Sequence, residues 1–176
     1  TSSIKIASKI ADTGKTVTLG IYPHKPEIGY GYIEVDNSER NKYYNIISFT
    51  EKPNLEVAEK YLNSGNYYWN SGIFLFKASS YLKELEKYEP EIFNICEKSF
   101  IKSSKDLDFI RLGNEEFYTC PEKSIDYAVM EKTKVGVVVP FEGSWSDIGT
   151  RGALWESKSK DTNNNVSEGD VTLSKS

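Results

Sequence analysis

At 176 residues the chain is long enough for one domain with a core of its own, or for part of a larger one. Hydrophobic residues at 38% and charged residues at 27% mark a globular chain rather than a disordered one. A net charge of −4 without any basic block argues against nucleic acid as a partner, because a duplex binder needs a basic face to displace counterions; a mononucleotide stays open.

In chain order, Ile4, Ile6, Ala7, Ile10 and Ala11 share one face and predict a helix over 3–11, with Gly14 as its stop. The β-branched run Thr16–Tyr22 predicts a strand, ended by Pro23, and Tyr30–Val35 and Asn45–Glu51 predict two more. The polar stretch Asp36 to Asn41 between these last two suits a hairpin-like loop. Asn54 is placed to cap a helix whose face is Leu55, Ala58, Tyr61 and Leu62, with Gly65 as terminator. Gly72–Phe76 predicts a short strand, followed by a helix through Tyr88 capped by Ser79 or Ser80. Pro90 opens a further helix with Ile92, Ile95, Cys96, Ser99 and Phe100 on one side. A looser charged region around 103–108 follows, then a short helix capped by Ser124, then a strand over Val135–Pro140. Alternating strands and helices predict an α/β domain on a mixed sheet. From Ser157 the composition turns to Ser, Lys, Asp, Asn and Gly, which reads as a linker or the start of another domain, so 1–156 and 157–176 are the expected divisions.

Val135 to Val139, the longest strongly apolar run, is too short to span a bilayer, and no basic-then-apolar leader opens the chain. A cytoplasmic protein with no membrane partner is the expectation. Cys96 and Cys120 are too few for a disulfide scaffold and match no metal spacing, so free buried thiols are expected. With His24 the only histidine, zinc sites built on several histidines are excluded, as is any Ser-His-Asp triad that does not use His24. The only methionine is Met130, which fits either a processed start or a stretch of a longer protein.

Four constellations offer chemistry. In Gly29-Tyr30-Gly31-Tyr32-Ile33, glycines at alternate positions before a strand allow a ligand to approach the backbone, although taken alone a tight turn or bulge explains them better. In Phe49-Thr50-Glu51-Lys52-Pro53, the proline keeps Lys52 out of the next helix and holds an acid–base pair at a strand exit. Lys52 there suits a phosphate and Glu51 a sugar hydroxyl, with a solvated salt bridge as the plain alternative. Asn70, in Tyr67-Tyr68-Trp69-Asn70-Ser71-Gly72-Ile73-Phe74, supplies donors and an acceptor for neighbouring hydroxyls, while the aromatics before it read as core. Asp147, in Trp145-Ser146-Asp147-Ile148-Gly149, presents a carboxylate suited to magnesium, or simply makes an Asp turn.

Together with Ser124-Ile125-Asp126-Tyr127-Ala128-Val129-Met130-Glu131, these segments in this order resemble the bacterial mannose-1-phosphate guanylyltransferases, often fused to a mannose-6-phosphate isomerase domain. The likeness runs from about Thr16 to Glu156. It implies a Rossmann-like nucleotidyltransferase fold and the reaction of GTP with mannose 1-phosphate to give GDP-mannose and pyrophosphate. On that likeness Gly31 lies against the sugar, Glu51 and Asn70 bind its hydroxyls, Lys52 binds its phosphate, and Asp147 is one Mg2+ ligand; Asp147 and Lys52 are the catalytic candidates. Asp126 and Glu131 are expected to cap or pack. The family's glycine-rich, arginine-containing loop and its second metal-binding aspartate do not occur in these residues. Ile28 stands where a small hydroxylic residue is usual, and Thr150-Arg151 is an unusual sequel to the aspartate motif. The resemblance therefore predicts part of a longer enzyme, lacking its N-terminal nucleotide-binding half and inactive alone, with one sheet edge or face left unsatisfied. Asn163–Ser176 resembles the passage leading out of the transferase domain. Rival expectations are transfer to another sugar 1-phosphate and a non-catalytic sugar-phosphate-binding module. Whether the protein forms a homo-oligomer is left open.

Overall fold

A computed structural model describes residues 2–39, 41–149 and 151–171, so Arg40 of the first loop, Thr150 and the last five positions of the polar tract lie outside the described residues. Two compact units divide the chain, Thr1–Glu142 and Gly143–Ser176.

In the first unit, helix α1 (Ser2–Ala11) places Ala7 and Ala11 four residues apart, and both are buried. Their small side chains let the helix pack on Val17 and Leu19 of β1 (Thr16–Ile21) and on Val137 and Val139 of β7 (Gly136–Pro140). Because strand side chains alternate, Thr18 and Val138 face the other way. There Val138 joins Ile33 and Val35 of β2 (Tyr32–Val35), Tyr44 and Phe49 of β3 (Tyr44–Thr50), Tyr68 of β4 (Tyr67–Leu75) and Met130. With a core on both faces, β1 is buried throughout, which explains why it carries no charged residue and is largely β-branched.

Strand β1 pairs antiparallel with β4 and parallel with β7, and β2 lies between β3 and β4. Strand β3 is long enough to serve two neighbours: Ile46 to Thr50 pair with β2, while Tyr44 and Asn45 pair with Val138 and Val137. The five strands thus close into a barrel in the order β1-β4-β2-β3-β7. Of the open edge or face expected from the sequence, the edge is not found in this barrel among the described residues, because the start of β3 pairs with β7 and completes the ring. Register between β1 and β4 shifts between Thr18, opposite Phe74, and Gly20, opposite Asn70. Two steps on β1 therefore span four on β4, and the surplus is taken up around Gly72, whose φ is 71°.

Helix α2 (Leu55–Ser64) follows the sequence expectation: the Asn54 side chain accepts from Val57 N at 2.9 Å, and Gly65 ends the helix at φ 73°. Helix α3 (Ala78–Tyr88) does not use Ser79 or Ser80 as a cap. The Lys77 carbonyl already accepts from Ser80 N and Tyr81 N at 2.9 and 3.0 Å, so the helix begins earlier. Helix α4 (Pro90–Ile101) buries Ile92 and Ser99, whereas Phe100, expected on the packed side, is exposed. The stretch around 103–108, read as loose and charged, instead holds β5 (Ser104–Asp106), which forms a small antiparallel hairpin with β6 (Phe109–Arg111) just beyond it, followed by the short α5 (Asn114–Phe117). The helix assigned to a Ser124 cap is instead a π-turn, Asp126–Met130. The Ser124 backbone carbonyl, not its hydroxyl, accepts from Ala128 N, and Glu131 N reaches back to Asp126 O at 2.9 Å. Burial of Ala128, Val129 and Met130 in succession holds this wider turn.

The second unit contains α6 (Arg151–Ser157). After it, Asp161 accepts from Asn163 N and Asn165 N at 2.8 Å each, and Trp155 Nε1 donates to Asn164 O at 3.0 Å. No helix among the described residues is long and apolar enough to cross a membrane.

Candidate active site

Strand register dictates where the first three candidates meet. Tyr32 of β2 stands opposite Thr50 on one side and Trp69 on the other. One step further along these antiparallel ladders, Gly31 must lie between Glu51 and Asn70. The Asn70 N–H donates to the Gly31 carbonyl at 2.8 Å. A Cβ on Gly31 would fall 2.5 Å from Glu51 Oε2, 3.3 Å from Phe49 Cε1 and 3.4 Å from Asn70 Cβ. The glycine therefore keeps open the space between carboxylate and carboxamide.

Lys52 adopts φ 47°, a left-handed conformation unusual for a side-chain-bearing residue. Pro53 bars the ordinary helical alternative, and α2 starts only at Leu55. Lys52 Nζ sits 3.3 Å from Glu51 Oε1, with the lysine side chain 62% exposed and the glutamate 12%. Both line a cleft of about 590 Å³ together with Lys123, Ser124, Asp126 and Lys132.

Charge in this cleft is mixed. Lys123 Nζ bonds Glu89 Oε1 at 2.8 Å, and Lys132 Nζ shares the same oxygen. These hydrogen bonds, Lys123 first, hold the Glu89 carboxyl below its ordinary range. Burial, by contrast, pushes the Glu51 carboxyl up. The Lys52 hydrogen bond opposes that, while the charges of Asp126 and Glu131 add to it.

Asn70 is held from three directions. Its Oδ1 accepts from Thr18 Oγ1 at 2.9 Å and from Gly72 N at 3.2 Å, and its Nδ2 donates to Asp126 Oδ1 at 2.9 Å. Sequence reasoning sets Asp126 aside as a capping or packing residue and misses Thr18. The available signals are a hydroxyl at an inward position of an apolar strand and an acid opening an otherwise buried helical turn. The aromatics beside Asn70 are core, as expected: Tyr68 and Trp69 are each 2% exposed.

Asp147 belongs to the second unit, on an exposed turn where Ile148 has φ 48° and its N–H donates to Ser146 Oγ at 3.3 Å. Among the described residues no three His, Cys, Asp or Glu side chains gather into a ready-made metal cage. One carboxylate still suits a magnesium ion whose remaining positions are filled by substrate phosphates and water.

The profile of the nucleotidyl transferase family matches residues 2–164. The chain belongs to the nucleotidyl transferase family. The mannose-1-phosphate guanylyltransferase 2 of Escherichia coli O157:H7 is 50% identical over 176 residues, covering 96% of this chain and 36% of that protein. The mannose-1-phosphate guanylyltransferase of Escherichia coli K12 is 49% identical, covering 97% and 36%. The chain thus spans little more than a third of the length of these relatives. Among solved structures, the mannose-1-phosphate geranyltransferase of Thermus thermophilus superimposes with a TM-score of 0.76 at 30% identity, over 88% of this chain and 43% of that one. The mannose-6-phosphate isomerase of Helicobacter pylori gives 0.75 at 34% identity, over 83% and 57%. The mixed sheet with its flanking helices is the nucleotidyltransferase fold, and nucleotidyl transferases of this kind generally use a divalent metal.

Proposed function

We propose that these residues form the sugar-phosphate side of an enzyme that transfers GMP from GTP to mannose 1-phosphate, giving GDP-mannose and pyrophosphate. The observation that carries this reading is the convergence of Gly31, Glu51 and Asn70 by strand register, with Lys52 at the mouth of the same cleft. The names of the relatives supply the sugar and the base. The names of both structural neighbours contain a mannose phosphate, which favours that sugar over other sugar 1-phosphates.

In this reading Glu51 accepts from a sugar hydroxyl, Asn70 donates to one, and Gly31 lets the ring lie against the backbone. Lys52 meets the sugar's phosphate, and its charge offsets that of the phosphate oxygen that attacks the α-phosphorus of GTP as pyrophosphate leaves. Such a displacement asks for alignment and charge neutralisation more than for a protein acid or base, so a chain with one histidine suffices. Asp147 would hold a magnesium ion, whose chemistry when bound is to neutralise phosphate charge. A cytoplasmic location and a linker or following domain over 157–176 belong to the same proposal.

Lys52→Ala in the protein carrying these residues tests it. A charge-assisted hydrogen bond is worth about 1.5–3 kcal/mol, so KM for mannose 1-phosphate should rise about ten- to a hundredfold. KM for GTP should stay unchanged. Equal effects on both constants would return Lys52 to an exposed salt bridge with Glu51.

A further inference from the structure

Asn70 has more partners than a ligand-binding amide needs, and two of the three have only one chemical sense. The Asp126 carboxylate, when ionised, can only accept, so the atom facing it at 2.9 Å must be Nδ2. Gly72 N–H can only donate, so the atom facing it at 3.2 Å must be Oδ1. The Thr18 hydroxyl then gives its single proton to Oδ1 at 2.9 Å, in preference to the Ile73 and Leu19 carbonyls at 3.4 and 3.5 Å. Both lone pairs of Oδ1 and one of the two Nδ2 protons are thereby committed, and one N–H remains.

We infer that Thr18 and Asp126 are positioning residues that lock the Asn70 carboxamide in one orientation, so that it meets the ligand as a hydrogen-bond donor only. The two come from different elements, the doubly buried strand β1 and the first residue of the π-turn, and the bulge around Gly72 supplies the third tie. Thr18 is fully buried, which makes it a support for Asn70 rather than a ligand contact. Asp126 lines the cleft and has a second oxygen, so it also sets the charge beside Glu51. A hydroxyl seated here accepts from Asn70 and donates to Glu51, and a ligand atom that can only donate is refused at Asn70. That the ligand is a sugar phosphate rests on the function proposed above; the lock does not.

The test uses the protein that carries these residues, with Thr18→Val, Thr18→Ser, Asp126→Ala and Asp126→Asn. First, the side-chain amide signals of Asn70, assigned by their loss in Asn70→Ala, are followed by nuclear magnetic resonance without ligand. The lock predicts that they shift and exchange faster in Thr18→Val and Asp126→Ala, and that Thr18→Ser keeps them. Asp126→Asn keeps them too, by turning its own amide oxygen to Nδ2. Second, Thr18→Val should raise KM for mannose 1-phosphate about three- to tenfold, the effect of one net hydrogen bond, and leave KM for GTP alone. In an Asn70→Ala background the same substitution should add nothing further. Third, Asp126→Asn should move the acidic limb of the pH profile to lower pH, since the charge that raises Glu51 is gone. Burial of Glu51 and the charges of Lys52 and Glu131 are the same in both proteins. Unchanged Asn70 signals in Thr18→Val, or a Thr18→Val loss of equal size with Asn70 already removed, would overturn the inference. If the unaltered protein shows no turnover with mannose 1-phosphate, the proposed function falls, and the amide signals still decide the lock.

Discussion

Adding one methyl group at Gly31 probes the site without touching a charge. Its φ is not among the left-handed ones, so alanine fits the backbone, and the chain entropy removed from the unfolded state favours folding by about 0.4–1 kcal/mol. The new Cβ would lie 2.5 Å from Glu51 Oε2, the far end of a flexible side chain, which must swing away. Phe49 Cε1 and Asn70 Cβ at 3.3 and 3.4 Å give by a few tenths of an ångström. Overpacking of this kind costs about 1–3 kcal/mol, so the net loss of stability should be no more than about 2.6 kcal/mol after the entropic gain. Binding should suffer more. A displaced Glu51 forfeits its bond to a sugar hydroxyl, a charge-assisted interaction of about 1.5–3 kcal/mol, and the methyl occupies the gap the sugar would enter. KM for mannose 1-phosphate should rise at least about tenfold, with KM for GTP unchanged. Steady-state kinetics for both substrates, with thermal unfolding in parallel, reads both quantities. An unchanged sugar-phosphate KM, or a variant that simply does not fold, would refute the reasoning.

Gly20→Ala should behave in the opposite way. There a Cβ would collide with Val138 Cγ2 and come 2.9 Å from Tyr68 Cβ inside the barrel, so unfolding measurements should show a loss of about 1–3 kcal/mol or more. Glu51→Gln should raise thermal stability at neutral pH. Burial raises the Glu51 pKa, so stability falls as pH climbs from the ordinary carboxylate value toward the raised native one and stays lower above it, and a glutamine never ionises. The gain should vanish below the ordinary carboxylate pKa of about 4.3, where both side chains are neutral, and binding of mannose 1-phosphate at neutral pH should weaken by about ten- to a hundredfold. A stability gain that is largest in acid would contradict the sign. Asp147→Asn should lower turnover about a hundred- to a thousandfold, be partly relieved by added magnesium, and leave unfolding unchanged. Normal turnover would make Asp147 a turn residue.

Much of the fold is legible in the sequence because burial leaves a mark on composition. Strand β1 sits between two cores and carries β-branched residues at four of its six positions with no charge among them, and α2 carries its cap and terminator in Asn54 and Gly65. Strand β4 shows in the sequence only in its second half, because the bulge at Gly72 splits the alternation into two unlike stretches. The β5–β6 hairpin is not legible because both strands are only three residues long and fully exposed: β5 is polar throughout, and the apolar Phe109 and Ile110 of β6 are too few to set an alternation. Barrel closure is invisible for a different reason. It depends on Tyr44 and Asn45 pairing with β7 more than ninety residues on, and no local pattern encodes that.

The site divides along the same line. Gly31, Glu51, Lys52 and Asn70 lie in compact motifs, and strand register brings Gly31, Glu51 and Asn70 side by side. Thr18 and Asp126 matter through side-chain contacts across fifty-odd residues, and their roles emerge only once the Asn70 bonds are traced. Lys123 and Lys132 enter the cleft in the same way, through Glu89 at the start of α4.

Calorimetric titration with mannose 1-phosphate of the protein carrying these residues tests the central claim most directly. Saturable binding that is weakened by Lys52→Ala and by Glu51→Gln, each about tenfold or more, is the predicted result. No binding, or binding indifferent to both substitutions, would contradict it.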